Sequence, residues 1–427
     1  MKRNQFWTVA SKGLAVMTVT LIALVLAPSA WAVSKDKILY NFTGGNDGST
    51  PYDGLTLDTS GNLYGTTTAG GASGNGTVFK LAKNSDGSWT ESVLYSFAGG
   101  TDGATPYAGV TFDASGNLYG TTTEGGASSA GTVFQLANSN GTWTESVLYS
   151  FTGGSDGANP LWCGVIFDAT GTLYGMTSGG GSQEVGVVYK VTPNSGGGWT
   201  YGLLHTFTGG KDGSYPLAGT LTFDTAGNLY GATSDGVDNY GNCPTSNDCG
   251  SIFKLTQSGG SWTEQVIFRF TGNTNGGQSR RPFSPLVFDS AGRLYGTTGA
   301  GGGLYGTAFR LTLDANGRWN ERVLHVFHGN QDGAYPNSGL VFDTTGDLYG
   351  STVFGEDGNG DCCFGQVFKL TPHTHGWCKQ AVHRFQGAPQ DGILGGNPVV
   401  FDAAGNLYGT SFDGGTSGNG VVFEVIR

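Results

Sequence analysis

A chain of 427 residues with 32 acidic against 21 basic side chains carries a formal charge of −11, which argues against nucleic acid or an anionic membrane as a partner. Glycine (78) and proline (13) together make up about 21% of the chain, just short of the level that signals disorder. Strict recurrence of aromatic and aliphatic positions decides for a folded β protein, and no helical periodicity persists beyond the first 30 residues.

The first stretch reads as a secretory signal. Lys2, Arg3 and Lys12 precede an apolar run from Leu14 to Ala27, and Ala30-Trp31-Ala32 closes it. Basic start, apolar middle and Ala-x-Ala end predict cleavage after Ala32. The run is shorter than the roughly 18–20 apolar residues of a membrane span. Cleavage takes away three basic and no acidic residues, leaving −14 on a single domain over 33–427. A secreted or periplasmic monomer without a membrane span is expected.

That domain is a repeat. The pattern apolar-Asp-x-x-Gly-x-Leu-Tyr-Gly recurs seven times, with cores at Leu63, Leu118, Leu173, Leu229, Leu294, Leu348 and Leu407. Spacings of 55, 55, 56, 65, 54 and 59 residues place it among repeat architectures. Two short β-prone runs joined by an Asp/Gly loop predict a hairpin. The seven Asp, from Asp58 to Asp402, read as turn-forming residues rather than a metal or catalytic device.

Four strands, a to d, fit each unit. In the first they lie near Leu55–Leu57, Leu63–Thr68, Thr77–Leu81 and Trp89–Phe97. The last unit supplies Val399–Phe401, Leu407–Ser411 and Val421–Ile426 and then the chain ends, while Ile38–Phe42 matches strand d and has no unit of its own. Pairing that spare strand onto the last unit closes a ring. The expected fold is therefore all-β: a seven-bladed β-propeller of four-stranded blades. With strand a innermost, the a–b and c–d loops share one face. The d–a connections, which carry Gly-Gly-x-Asp-Gly, share the other with the b–c loops. Trp opens strand d in six copies (Trp89 to Trp377), and His205, His325 and His383 replace the Tyr of Tyr95. The Trp recurrence reads as packing between neighbouring units, and the three His as half-buried aromatic substitutes rather than ligands.

Phe-Asp-x-x-Gly-Asn-Leu-Tyr-Gly-Thr-Thr, then Gly-Gly, then Gly-Thr-Val-Phe-Lys-Leu, resembles the Gloeo-Verruco (GloVer) tandem repeat over essentially all of the exported part. The resemblance implies an exported bacterial protein and carries no activity with it. Such proteins have variable C-terminal anchors; this sequence ends at Arg427 without a hydrophobic tail or sorting motif, so release is expected. The a–b hairpin is also similar to that of NHL-type propellers, which supports the strand order alone.

Function is expected where one copy differs from the rest, on the d–a/b–c face. The b–c loop Ser234–Gly250 holds Cys243 and Cys249, a candidate disulfide in an exported protein. The b–c loop of unit six carries Asp357, Asn359 and Asp361, oxygen ligands at alternate positions that suit Ca²⁺; no other cofactor is indicated. Cys163, Cys362, Cys363 and Cys378 have no assignable pairing. Arg280 and Arg281 stand together in the fifth d–a connection and suit a carboxylate or sulfate. Tyr52, Tyr107, Trp162 and Phe283, just before strand a, are expected around the channel mouth, where aromatic rims suit sugar or peptide faces.

Two functions follow. The first is a non-catalytic scaffold that engages an extracellular glycan or protein through this face. No His-Glu-x-x-His motif occurs, and no catalytic residue is assignable from sequence. The alternative is a carbohydrate-active hydrolase or lyase using Glu124, Glu184, Asp235, Glu356 and Asp357, which needs two carboxylates brought together.

Overall fold

The computed structural model describes residues 35–217, 219–236, 249–271, 279–301, 303–355, 364–389, 391–393 and 397–426. The signal segment 1–32, Cys243 and the candidate calcium ligands lie outside them, as do Glu356, Cys362 and Cys363. The unit Ser34–Arg427 holds seven four-stranded antiparallel sheets arranged as a propeller. Among the described residues no helix is long and apolar enough to cross a membrane.

Blade 1 consists of strand a (Thr56–Leu57), b (Leu63–Thr67), c (Thr77–Lys83) and d (Trp89–Ser96). Strand b is wholly buried in every blade, because its middle glycine admits the ring of strand c: a Cβ on Gly65 would lie 2.7 Å from Phe79. In all seven blades the c–d pair carries a bulge, at Val78/Phe79 in blade 1, which adds one residue to strand d and sharpens its twist.

Closure is as expected from the spare strand. Lys35–Asn41 pairs antiparallel with Val421–Ile426, from Lys35 opposite Ile426 to Asn41 opposite Val421, and completes the sheet of Val400–Phe401 and Leu407–Ser411. Phe42 is buried in the cluster joining blades 7 and 1, with Tyr408 and Phe79. The inner ring closes too, where the Asn397 amide donates to the carbonyl of Pro51 at 3.1 Å.

The recurring residues hold neighbouring blades together. Asp58 accepts the backbone N–H groups of Ser60 and Asn62, and also the Tyr64 hydroxyl at 3.1 Å. Tyr64 in turn meets Trp143 of blade 2 edge-on at 6.5 Å, and the Trp of blades 1 and 3 to 6 packs likewise on the Tyr of the preceding blade. At the outer seams the Tyr95 hydroxyl bonds Asp102 at 3.0 Å. His205, His325 and His383 bond Asp212, Asp332 and Asp391 in the same way. Blade 4 has Phe268 at this position, and its connection is the one whose sequence lacks the Asp. Donor and acceptor are lost together, so neither is left unpaired. At the last seam Asp36 joins His383 and Asp391, with ligand-type atoms within 4.8 Å of one another. This is the recurring seam with Asp36 in the place of Glu91, since each faces the same strand-c position of its blade.

Candidate functional site

The d–a connections and b–c loops meet on one face, as the strand order predicted: Ser49 bridges Ala69, Ala104 bridges Glu124 and Ala334 bridges Phe354. The residue before each channel-side proline is what fixes this face. Thr50, Thr105, Asn159, Tyr215, Arg281 and Tyr335 all have φ between 50° and 58°, a conformation that is strained for a residue with a side chain. Each makes two bonds that explain it. Thr105 donates its N–H to Asn75 of the preceding blade at 2.9 Å and accepts from Thr123 of its own at 3.2 Å. The glycine that opens strand c lies against the next blade's proline, where a Cβ on Gly76 would stand 2.7 Å from Pro106.

Inside this collar runs a channel of about 680 Å³, walled by the strand-a residues of the blades. Five blades tie its rim with a hydroxyl from strand b to the backbone of the next blade, as Thr66 to Ala108 (2.9 Å) and Thr410 to Asp53 (2.6 Å). Blades 3 and 4 have Met176 and Ala232 there, both buried.

Aromatic rings gather at the mouth. Tyr52 lies between Phe412 (5.2 Å, 22°) and Trp162 (6.1 Å, 21°) in a stack, and Tyr107 braces both Tyr52 and Trp162 edge-on from behind. Phe283 and Phe354 line the same cavity. Trp162 has φ 56°, because blade 3 has one residue more than blade 2 between its proline and strand a. Its indole Nε1 is buried without a partner, as is Oδ1 of Asn337 on the lining.

Asp53 is the one carboxylate on this lining among the described residues. It accepts from Gly54 N (2.7 Å) and from Gly109 N of blade 2 (2.6 Å). Burial pushes its pKa up to about 6 against the pull of those two donors. Beside it Cys163 is fully buried with its thiol on the carbonyls of Leu161 and Pro216. Burial, then the Asp53 charge, pushes that thiol far above its ordinary pKa, which disfavours the thiolate that a nucleophile needs.

Tyr52, Trp162 and Phe283 reach the cavity, and Tyr107 supports them. Arg281 is ion-paired with Asp235 (3.7 Å) and sits over the Phe283 ring at 5.7 Å. Arg280 lies in a short strand pair, opposite Ala300. Glu124, Glu184 and Asp235 are not on the lining. Cys249 is buried, Cys163 and Cys378 are free, and Cys378 is exposed. Phe412, Phe354, Asp53 and Asn337 were not singled out from sequence. For Phe412 a signal exists, because it occupies the position held by Thr68 and Thr123 in blades 1 and 2.

Fold and site together define a seven-bladed propeller with an aromatic-rimmed channel on its d–a/b–c face. The Gloeobacter/Verrucomicrobia repeat matches residues 2–243, 145–360 and 242–426. The chain belongs to that family. No curated protein matches it. Among solved structures it is similar to a gluconolactonase from Xanthomonas campestris, at 14% identity and TM-score 0.39 over 74% of this chain and 84% of that one. It is also similar to a protein described as a putative oxidoreductase (glucose dehydrogenase) from Thermus thermophilus, at 16% identity and TM-score 0.41 over 75% and 96%. Neither brings an activity to this chain.

Proposed function

We propose that this protein is an exported binding scaffold that takes a saccharide chain at the aromatic mouth of its channel. The observation that carries the reading is the stack of Phe412, Tyr52 and Trp162. Rigid rings offer an apolar face to the C–H side of a sugar. The unpartnered Trp162 Nε1 and Asn337 Oδ1 add a donor and an acceptor for hydroxyls. A few polar groups on an apolar concave lining are the usual makeup of a ligand site. A glycan array followed by calorimetric titration tests it. Trp162→Ala and Tyr52→Ala are expected to weaken an array hit at least tenfold, with folding unchanged by circular dichroism. An array at background, or hits indifferent to both substitutions, overturns the reading.

Hydrolysis is the second reading, and one observation favours it. Asp53, with its raised pKa, can hold a proton near neutral pH inside the cavity. Paired-carboxylate glycosidase chemistry needs a second acid, and Glu124, Glu184 and Asp235 do not line the cavity. New reducing ends released from an array hit, and lost in Asp53→Asn, would establish it.

A further inference from the structure

Blade 5 concentrates positive charge on the face opposite the channel mouth. Three positions of the repeat converge there: the residue before the Leu-Tyr-Gly core, a residue of strand c, and the residue facing it across the c–d pair. Blade 1 has Asn62, Lys80 and Ser92, and blade 6 has Asp347, Lys369 and Gln380. The other blades likewise carry at most one cation over the three. In blade 5 all three are arginine: Arg293, Arg310 and Arg322. Arg310 stands directly opposite Arg322, and like charges placed so are destabilising in themselves.

All three line a cavity of about 650 Å³ between blades 5 and 6. Arg293 is ion-paired with Asp289 at 2.5 Å. Arg310 lies beside the Tyr295 hydroxyl, and its Nε is buried without a hydrogen-bond partner. Arg322 is exposed. Asp343 also lines the cavity and accepts the backbone N–H groups of its own turn. Trp377 of blade 6 walls the far side, edge-on to Tyr295 at 6.3 Å. The equivalent positions at the other seams carry the same turn Asp residues without the surplus of guanidinium groups.

We propose that this groove is a second binding site, for the oxyanion of an acidic saccharide. A carboxylate or sulfate ester between Arg310 and Arg322 supplies the charge those two side chains lack and satisfies the buried Nε. Guanidinium forks suit such groups bidentately. Trp377 offers the sugar ring an apolar wall. This site stands apart from the channel and does not rest on the reading proposed for it.

Titration calorimetry at low and at physiological salt tests it with digalacturonate, a sulfated disaccharide, lactose and inorganic phosphate. Either acidic disaccharide is expected to bind and to weaken as salt rises. Arg322→Gln, at an exposed position, and Arg310→Gln are expected to weaken binding about tenfold each; Trp162→Ala is expected to leave it unchanged. Which disaccharide binds identifies the carboxylate or the sulfate as the group recognised. Binding of lactose as tight as that of the acids, or loss of binding in Trp162→Ala, overturns the site. Phosphate binding as tightly as the disaccharides overturns the saccharide assignment, and no binding by any probe overturns the whole proposal.

Discussion

Blades 2 and 3 are neighbours built on the same strands, yet only blade 3 departs from the repeat around the channel. Blade 2 has Pro106-Tyr107-Ala108, Thr121 and Phe134; blade 3 has Pro160-Leu161-Trp162-Cys163, Met176 and Tyr189. Thr121 ties its rim to the backbone of Cys163, whereas Met176 forms no such tie. Phe134 fills its blade cleanly, while the hydroxyl of Tyr189 is buried without a partner. The added residue that swings Trp162 into the mouth thus comes with changes in the core behind it. Uniform positions hold the ring, and the mouth is furnished by local irregularity.

The sharpest way to break that contrast is to truncate a uniform position. Phe134→Ala is expected to cost about 3–5 kcal/mol through the cavity it leaves, read as a lowered midpoint in chemical denaturation. Trp162→Ala is expected to change stability far less, because it leaves the recurring core intact while removing one ring of the proposed saccharide platform. Were the two to destabilise equally, the division between frame and mouth would fail.

Next comes the seam between these blades. Asp156 accepts from the Tyr149 hydroxyl (2.8 Å), from Thr152 N (2.9 Å) and from the Thr152 hydroxyl. Burial alone would raise its pKa, but these bonds outweigh it and hold the carboxyl low. A carboxyl that titrates lower when folded stabilises the fold above its unfolded pKa, and that contribution is lost as pH falls through the native value. Asp156→Ala is therefore expected to cost about 1–3 kcal/mol at neutral pH and less in acid, by thermal melts across pH.

Glu145 of blade 2 has the opposite sign. Burial first, and then Asp102, raise it from 4.5 to about 7, and its Oε1 has no partner. The native state then binds the proton more tightly than the unfolded chain, so stability declines as pH rises between those values. Glu145→Gln is expected to flatten that decline relative to wild type. A variant that follows the wild-type slope would show that Glu145 does not titrate there. The smallest effect belongs to Tyr189→Phe, which gives blade 3 the ring of blade 2. Removal of an orphaned hydroxyl is expected to stabilise by about 1 kcal/mol, and a loss of stability would mean the hydroxyl is satisfied.

The ring was readable from sequence because its evidence is repetition: seven Asp-Gly hairpins, and one strand-d match at Ile38–Phe42 without a unit. The two loop faces followed from strand order alone. The channel mouth was only half readable. Tyr52 and Trp162 stood out by position, but Phe412 joins them across 360 residues of sequence, a proximity that only the closed ring creates. Asp53 carries no signal in the sequence, since its burial and its bond to Gly109 depend on the next blade. Arg280 and Arg281 drew notice as adjacent charges. The three arginines of blade 5 did not, because they lie on three strands and meet only in the folded sheet.

Lys35 and Ile426 sit directly opposite each other in one antiparallel pair, a geometry that a tight hairpin spans elsewhere in the molecule, as at Ser139 and Thr142. A two-residue linker can therefore splice those positions, and fresh termini can be opened in any c–d turn. The order of the blades along the polypeptide is thus a matter of history, and a permuted gene should give the same wheel.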